Sequence, residues 1–245
     1  MTTVGAAEDA AIIEQITGLI DQVDGKTAEL RDNVTRLSGQ LPEPARQQTL
    51  TALEDFALEL EQLFHALRNM VTHWGSPSAL WDAADGWSSR VGGPVSARAG
   101  VATSGHLRAD DGNWEGTAAT AYAQRLELQR AALVAINTPL CESIGSALSA
   151  LAVGIMTYWA SLVYALSALV TGLVGAVAAS GTVVGLPAAP VIAVAAVVAA
   201  FLAVIAGSVV LSSVASSTNS SLVQALNNNI DFPDGQWPRA TDVPS

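Results

Sequence analysis

Glu61 and His65 are the residues whose types and spacing come closest to chemistry. Four apart on a helix, they share a face, and a carboxylate and an imidazole so placed can hold one metal ion. His65 and His73 lie eight residues apart, about 80° around a helix of ~3.6 residues per turn. A metal site needs three or four ligands, and no others converge, so the pair reads as an ordinary surface pair. Cys141 is the single cysteine, which rules out an intrachain disulfide. It has no basic neighbour beyond Arg130 and reads as a small buried residue. Asp110-Asp111-Gly112 is an acidic turn with no calcium-loop spacing after it. There is no phosphate loop, dinucleotide fingerprint or nucleophile elbow. The sequence therefore points away from an enzyme, a metal and a cofactor. Its information lies in the elements that would position such groups.

The dominant element runs from Ser143 to Ile230 and contains no Asp, Glu, Lys, Arg or His. Two apolar runs, Ile144 to Ala178 and Val191 to Ser212, are parted by Ser180-Gly181, Gly185 and Pro187-Ala188-Ala189-Pro190. About 20 apolar residues cross the ~30 Å hydrocarbon layer as a helix, and both runs reach that length. The pattern predicts a hydrophobic helical hairpin over residues 141–230, either inserted in a membrane or hidden by other helices. Ile144, Gly154, Gly172, Gly185, Pro187, Pro190 and Phe201 mark it. Small residues recur along the first run, as in helices that approach closely in lipid. Tyr158, Trp159 and Tyr164 fall inside that run, whereas aromatic belts prefer the interfaces. At 1.5 Å per residue the first run also exceeds the layer. Part of it is therefore expected in a soluble bundle; the second run is the cleaner span.

Residues 1–140 read as an amphipathic helical bundle. Ile16, Ile20, Val23, Thr27, Leu30, Val34, Leu37 and Leu41 alternate steps of four and three, a heptad seam with one polar member. Pro42-Glu43-Pro44 ends it. Leu50, Leu53, Ala57, Leu60, Phe64, Leu67, Val71 and Trp74 repeat the pattern, so the two helices form an antiparallel hairpin. The seams serve either an intramolecular core or a separate partner. Gly75-Ser76-Pro77 reads as a stop, a cap and a start. A third helix carries Leu80, Trp81, Ala84, Trp87 and Val91, is interrupted at Gly92-Gly93-Pro94, and continues towards Val101. Thr103 to Gly112 is a loop. A further helix with Tyr122, Leu126, Leu133, Ile136 and Leu140 on one seam meets a kink at Thr138-Pro139. Residues 231–245 read as a polar tail.

Net charge is −11 at pH 7. With one lysine and scattered arginines, the chain lacks the basic clusters that bind nucleic acid, and any membrane binding must be hydrophobic. The first residues lack the basic flank and apolar core of a secretory signal.

Before the helix that begins near Thr117 stands Asn113-Trp114-Glu115-Gly116-Thr117-Ala118-Ala119-Thr120-Ala121-Tyr122. An indole here can plug the end of a helix pair, the glycine allows a tight turn, and the alanines let a neighbour approach. In Trp114-Glu115-Gly116, Ala118-Ala119 and Tyr122 the chain resembles the Trp-x-Gly superfamily of type VII secretion substrates of actinobacteria and their relatives, over roughly Ser76 to Leu140. The resemblance implies an antiparallel helical hairpin with the motif at its tip. It also implies export through secretion-system components and assembly with a helical partner or as a homo-oligomer. Larger members append apolar segments, as here. Many members or their partners carry a Tyr-x-x-x-acid export signal. At that spacing from Tyr122 stands Leu126, with Glu127 one place later, so the signal is borrowed or lies elsewhere.

The fold class expected is all-α: an elongated antiparallel helical bundle with a Trp-x-Gly turn and a hydrophobic helical hairpin. The function expected is that of a secreted or envelope-associated protein whose hairpin enters membrane lipid, as an oligomeric pore in one version. A soluble helical scaffold and a delivery domain for a separately encoded toxin are the alternatives.

Overall fold

The computed structural model describes residues 2–71, 75–103, 114–228 and 230–239. Among them the chain is all-α, with no strand. The helices are α1 (Thr2–Leu37), α2 (Glu43–Val71), α3 (Pro77–Trp87), α4 (Gly93–Val101), α5 (Thr117–Ala135), α6 (Glu142–Ser180) and α7 (Ala189–Leu226). They pack as two units. The first comprises residues 1–77 with 154–213, the second residues 78–153 with 214–245. Packing and composition thus divide the chain in different places. The charge-free stretch is shared between the units.

In the first unit, α1 ends where the sequence demands. A 3-10 turn (Ser38–Gln40) leads to Leu41, extended at ψ 149° ahead of Pro42 as residues before proline are. The Pro42 carbonyl then accepts from Arg46 N–H at 2.9 Å, opening α2. Ile16, Val23, Thr27, Leu30 and Val34 of the α1 seam are buried, with Ile20, Leu37 and Leu41 half-buried. On α2 the buried column is Phe56, Leu60, Leu63 and Leu67, one step around the helix from the expected one. Leu50, Leu53, Ala57 and Phe64 are only half-buried. Leu60 and Leu67 belong to both columns and each column holds one phenylalanine, so neither spacing nor size chooses; the helices packed against α2 seal Phe56 and leave Phe64 half-buried. The expected Val71 and Trp74 side chains lie outside what the structure describes.

These faces join one core with α6 and α7. On α6, Trp159, Leu162, Leu166, Leu169 and Leu173 are buried; on α7, Ala189, Pro190, Ala193, Val197, Ala200 and Val204 are. The last two helices are antiparallel. Gly172 of α6 faces Ala196, while Ser161 and Tyr158 face Gly207. A side chain at Gly172 would collide with the Ala196 methyl, so this residue sets how closely the pair approaches. The register also relocates the aromatics. Tyr158 and Trp159 are level with Gly207, close to where the apolar run of α7 gives way to Ser212 and Ser213. They therefore mark an end of the paired apolar span, not its middle as the linear sequence suggests.

The polar Thr27 sits in this core only 7% exposed, and its buried Oγ1 has no hydrogen-bond partner. An unsatisfied buried hydroxyl costs about 1–3 kcal/mol. Thr27→Val, equal in shape, is expected to stabilise the fold by about 1 kcal/mol in urea denaturation; a loss of stability would mean that the hydroxyl has a partner in solution.

In the second unit, α3–α4 and α5–α6 run antiparallel: Ala84 faces Gly145, and Gly92 faces Asn137 and Cys141. Each half of this helix pair contains a widened, π-helical turn, Ser88–Gly92 and Ile136–Cys141. Pro94 and Pro139 explain them. A proline in a helix has no N–H and crowds the carbonyl four residues back, and one extra residue in the turn relieves both. The expected interruption at Gly92-Gly93-Pro94 and kink at Pro139 are thus continuous helix with a wider turn. Residues after α7 return to α5, where Gln129 Nε2 donates to the Pro238 carbonyl at 3.1 Å, and Phe232 packs against Trp237.

Candidate functional site: an apolar hairpin and the Trp114 turn

The two long helices are each long and apolar enough to cross a membrane. Their environments differ. The leucine face of α6 is sealed in the core of the first unit, and the opposite side of that helix mixes small and polar residues (Thr157, Ala160, Ala168, Thr171 and Gly175) with the exposed Tyr164 and Val174. Of the most apolar 18-residue stretch, 33% is buried in the helix that holds α6 and only 17% in α7. A core helix of a soluble protein would be mostly covered. Val191, Val198, Leu202, Ile205 and Val209 stand exposed in a line on α7, with Leu202 61% exposed. Their steps of seven, four, three and four mean that α7 carries a second complete seam, back to back with the one facing α6. The sequence contains this spacing, but where every residue is apolar no seam stands out against its background.

Of the expected hairpin residues, Ile144 is half-buried in the second unit and Gly154 opens the portion in the first. Gly172 is the close-approach point. Gly185 and Pro187 lie in the tip (181–188) between α6 and α7; a side chain at Gly185 would meet the Ala179 carbonyl. Pro190 is buried in the first turn of α7, where a missing N–H costs nothing. Phe201 is half-buried against the core, and so belongs to the inward side of α7.

Trp114 and Gly116 stand directly before α5. Gly116 has φ +102°, a backbone state that favours glycine, and its carbonyl accepts from the Thr120 N–H at 3.1 Å to start the helix. The indole of Trp114 lies 5.6 Å from the Tyr122 ring at a 48° tilt. It is still 42% exposed, so it leans on its own helix two turns in and is not sealed as a plug. Glu127, the acid nearest the expected export spacing, is paired with Arg130 at 3.5 Å on the surface. The Asp110-Asp111 turn, Asn113, His73 and His106 fall outside the described residues.

Glu61 and His65 lie on the rim of a groove of about 630 Å³ between α1 and α2, with Asp24, Arg31, Glu54 and Arg68. Among the described residues no three His, Cys, Asp or Glu side chains are grouped to hold a metal ion. Cys141 is buried in the second unit, and burial pushes its thiol pKa up, away from the reactive thiolate. The sequence marks Ser180 only as part of the break between the apolar runs and gives no sign of its pairing with Asn33, which it meets inside the first unit. Asn33 Nδ2 donates to Ser180 Oγ at 3.0 Å, and Ser180 Oγ donates to the Val177 carbonyl at 2.7 Å. No family model, curated protein or solved structure matches the chain.

Proposed function

We infer that this chain is an exported helical protein whose α6–α7 hairpin enters a membrane, by itself or as an oligomeric pore, and that export runs through a type VII secretion system. One observation carries the membrane part: a helix of spanning length that leaves most of its most apolar stretch uncovered, within a stretch free of charge from Ser143 to Ile230. Each central Leu, Ile, Val or Phe contributes about −0.3 to −0.6 kcal/mol to insertion, and no charged side chain opposes it. The acidic remainder of the chain makes a zwitterionic bilayer a better target than an anionic one. Flotation with phosphatidylcholine vesicles, with dye release read in parallel, tests this. Recovery in the floating fraction supports entry and dye release supports a pore, whereas a chain left wholly in the aqueous fraction contradicts both.

A second reading, a soluble scaffold that binds helical partners, draws on the sealed leucine face of α6. It predicts a monodisperse protein without detergent and without vesicle binding.

The export part rests on the resemblance carried by Trp114, Gly116 and Tyr122. The Trp114–Tyr122 contact contributes about 0.5–1.5 kcal/mol. Trp114→Ala should therefore leave the fold standing, with a stability change of that size, while secretion from an actinobacterial host carrying the machinery falls at least ~10-fold, the effect of about 1.4 kcal/mol lost from a recognition contact. The ratio of secreted to cell-retained protein on an immunoblot checks it; unchanged secretion would remove Trp114 from recognition.

A further inference from the structure

The way α1 and α2 lie on the hairpin adds a step to this membrane reading, and rests on it. At one end of α1, Asp9 accepts from Ser76 Oγ at 2.9 Å, and the adjacent Gly75 lies against Ile155 of α6. At the other end, Asn33 donates to Ser180, the last residue of α6. The helix α1 therefore runs beside α6 in the same direction. From Asp9 to Asn33 is about 36 Å and from Ile155 to Ser180 about 38 Å, at 1.5 Å per residue. Between the two fastening points α1 and α6 thus keep pace over about 36–38 Å. Its inner seam, with Phe56, Leu60 and Leu63 of α2, joins the same core as the α6 leucines.

The outer faces cannot follow the hairpin into lipid. Asp21, Asp24, Asp32, Glu54 and Asp55 are exposed, and a charged residue at the centre of a bilayer is strongly disfavoured. So α6 cannot give its leucines to lipid while α1 and α2 hold them, whereas the outward seam of α7 is already free.

We propose that α1 and α2 are a releasable cover on α6, fastened at the hairpin tip by Asn33 and Ser180, so that membrane entry has two steps. The bare seam of α7 docks while the fastening is closed; α6 enters only after the cover leaves. The chemistry at the tip suits release. When Asn33 departs to water, the Ser180 hydroxyl keeps its bond to the Val177 carbonyl, so no orphaned donor is carried into lipid.

The test closes the fastening reversibly. In a Cys141→Ala background, Asn33→Cys and Ser180→Cys are oxidised to a disulfide, and the full chain is floated with phosphatidylcholine vesicles before and after alkaline carbonate extraction. The oxidised chain should float yet be stripped by carbonate. After reduction, the same sample should become carbonate-resistant, with at least a tenfold larger resistant fraction. An oxidised chain as resistant as the reduced one overturns the cover while leaving membrane entry intact. A reduced chain that never floats overturns membrane entry itself. Where the disulfide fails to form, Asn33→Ala gives the same test in the other direction: carbonate resistance should develop at least threefold faster than in the native chain, and an unchanged rate overturns the proposal.

Discussion

Leu202→Arg should lower partitioning into phosphatidylcholine vesicles by about 100- to 1000-fold. Leu202 lies midway along the apolar part of α7, on its outward seam. An arginine at the centre of a spanning helix costs about 2.5–3.5 kcal/mol, and the leucine it replaces forfeits about 0.3–0.6 kcal/mol more. At ~1.4 kcal/mol per tenfold, the sum of about 3–4 kcal/mol gives that range. In water the same substitution should be almost silent. A side chain already 61% exposed has little packing to lose, and such surface changes usually stay within about 0.5 kcal/mol. The separation of the two effects is the point: urea denaturation should be nearly unchanged while flotation collapses. Leu58→Arg, on an equally exposed site of α2, is the control and should leave flotation unaltered. If Leu202→Arg and Leu58→Arg float equally well, the outward seam of α7 does not meet lipid.

Phe56→Ala should give the largest loss of stability among single truncations on α2, about 3–5 kcal/mol in urea denaturation. Its ring is fully buried among residues of the first unit, and removing a sealed aromatic loses both its transfer free energy and the packing around the hole it leaves. Phe64→Ala, on the half-buried column one step around the helix, should cost clearly less. Equal costs, or the reverse order, would return the buried face of α2 to the column through Leu53, Ala57 and Phe64.

That comparison also shows how far the sequence could be read. The α1 seam was legible from Val23 to Leu37, where charged neighbours such as Asp24, Lys26 and Arg31 leave one apolar column; nearer the start of the helix Ile12, Ile13 and Leu19, off that column, also pack against the core. On α2 the apolar residues fill two adjacent columns that share Leu60 and Leu67, and only the neighbours decide between them. The hairpin was legible as a hairpin: absence of charge and the Gly and Pro residues between the runs are strong local signals. Which side of each helix faces inward was not, since a run such as Val191 to Leu211 has no polar residue to mark a surface before Ser208. Register was likewise invisible, and with it the level of Tyr158 and Trp159. Prolines announced disturbances at Pro94 and Pro139, but whether a helix stops or widens depends on what packs opposite; here each wide turn lies against the other. The polar contact of Asn33 with Ser180 joins residues 147 apart in sequence, a pairing no local pattern can announce.

The Trp114 turn divides in the same way. A glycine with positive φ ahead of a helix follows from the residue type. The contact with Tyr122 follows from spacing, since eight residues bring the indole back along the first turns of α5. How exposed the indole stays depends on what else reaches it. At 42% exposed, the ring keeps surface that its own chain leaves uncovered.

The most direct test of the central claim is protection from proteolysis in vesicles. The stretch from Ser143 to Ile230 has no lysine or arginine for trypsin, so a protease of broad specificity is required. Full-length protein is incubated with phosphatidylcholine vesicles, digested with proteinase K, and the surviving peptides are identified by mass spectrometry. Survival of peptides from α6 and α7 that contain Leu166 and Leu202, with loss of those from α1 and α2, is the predicted result. Digestion of α7 at the rate seen without vesicles, with the chain left in the aqueous fraction, would contradict it.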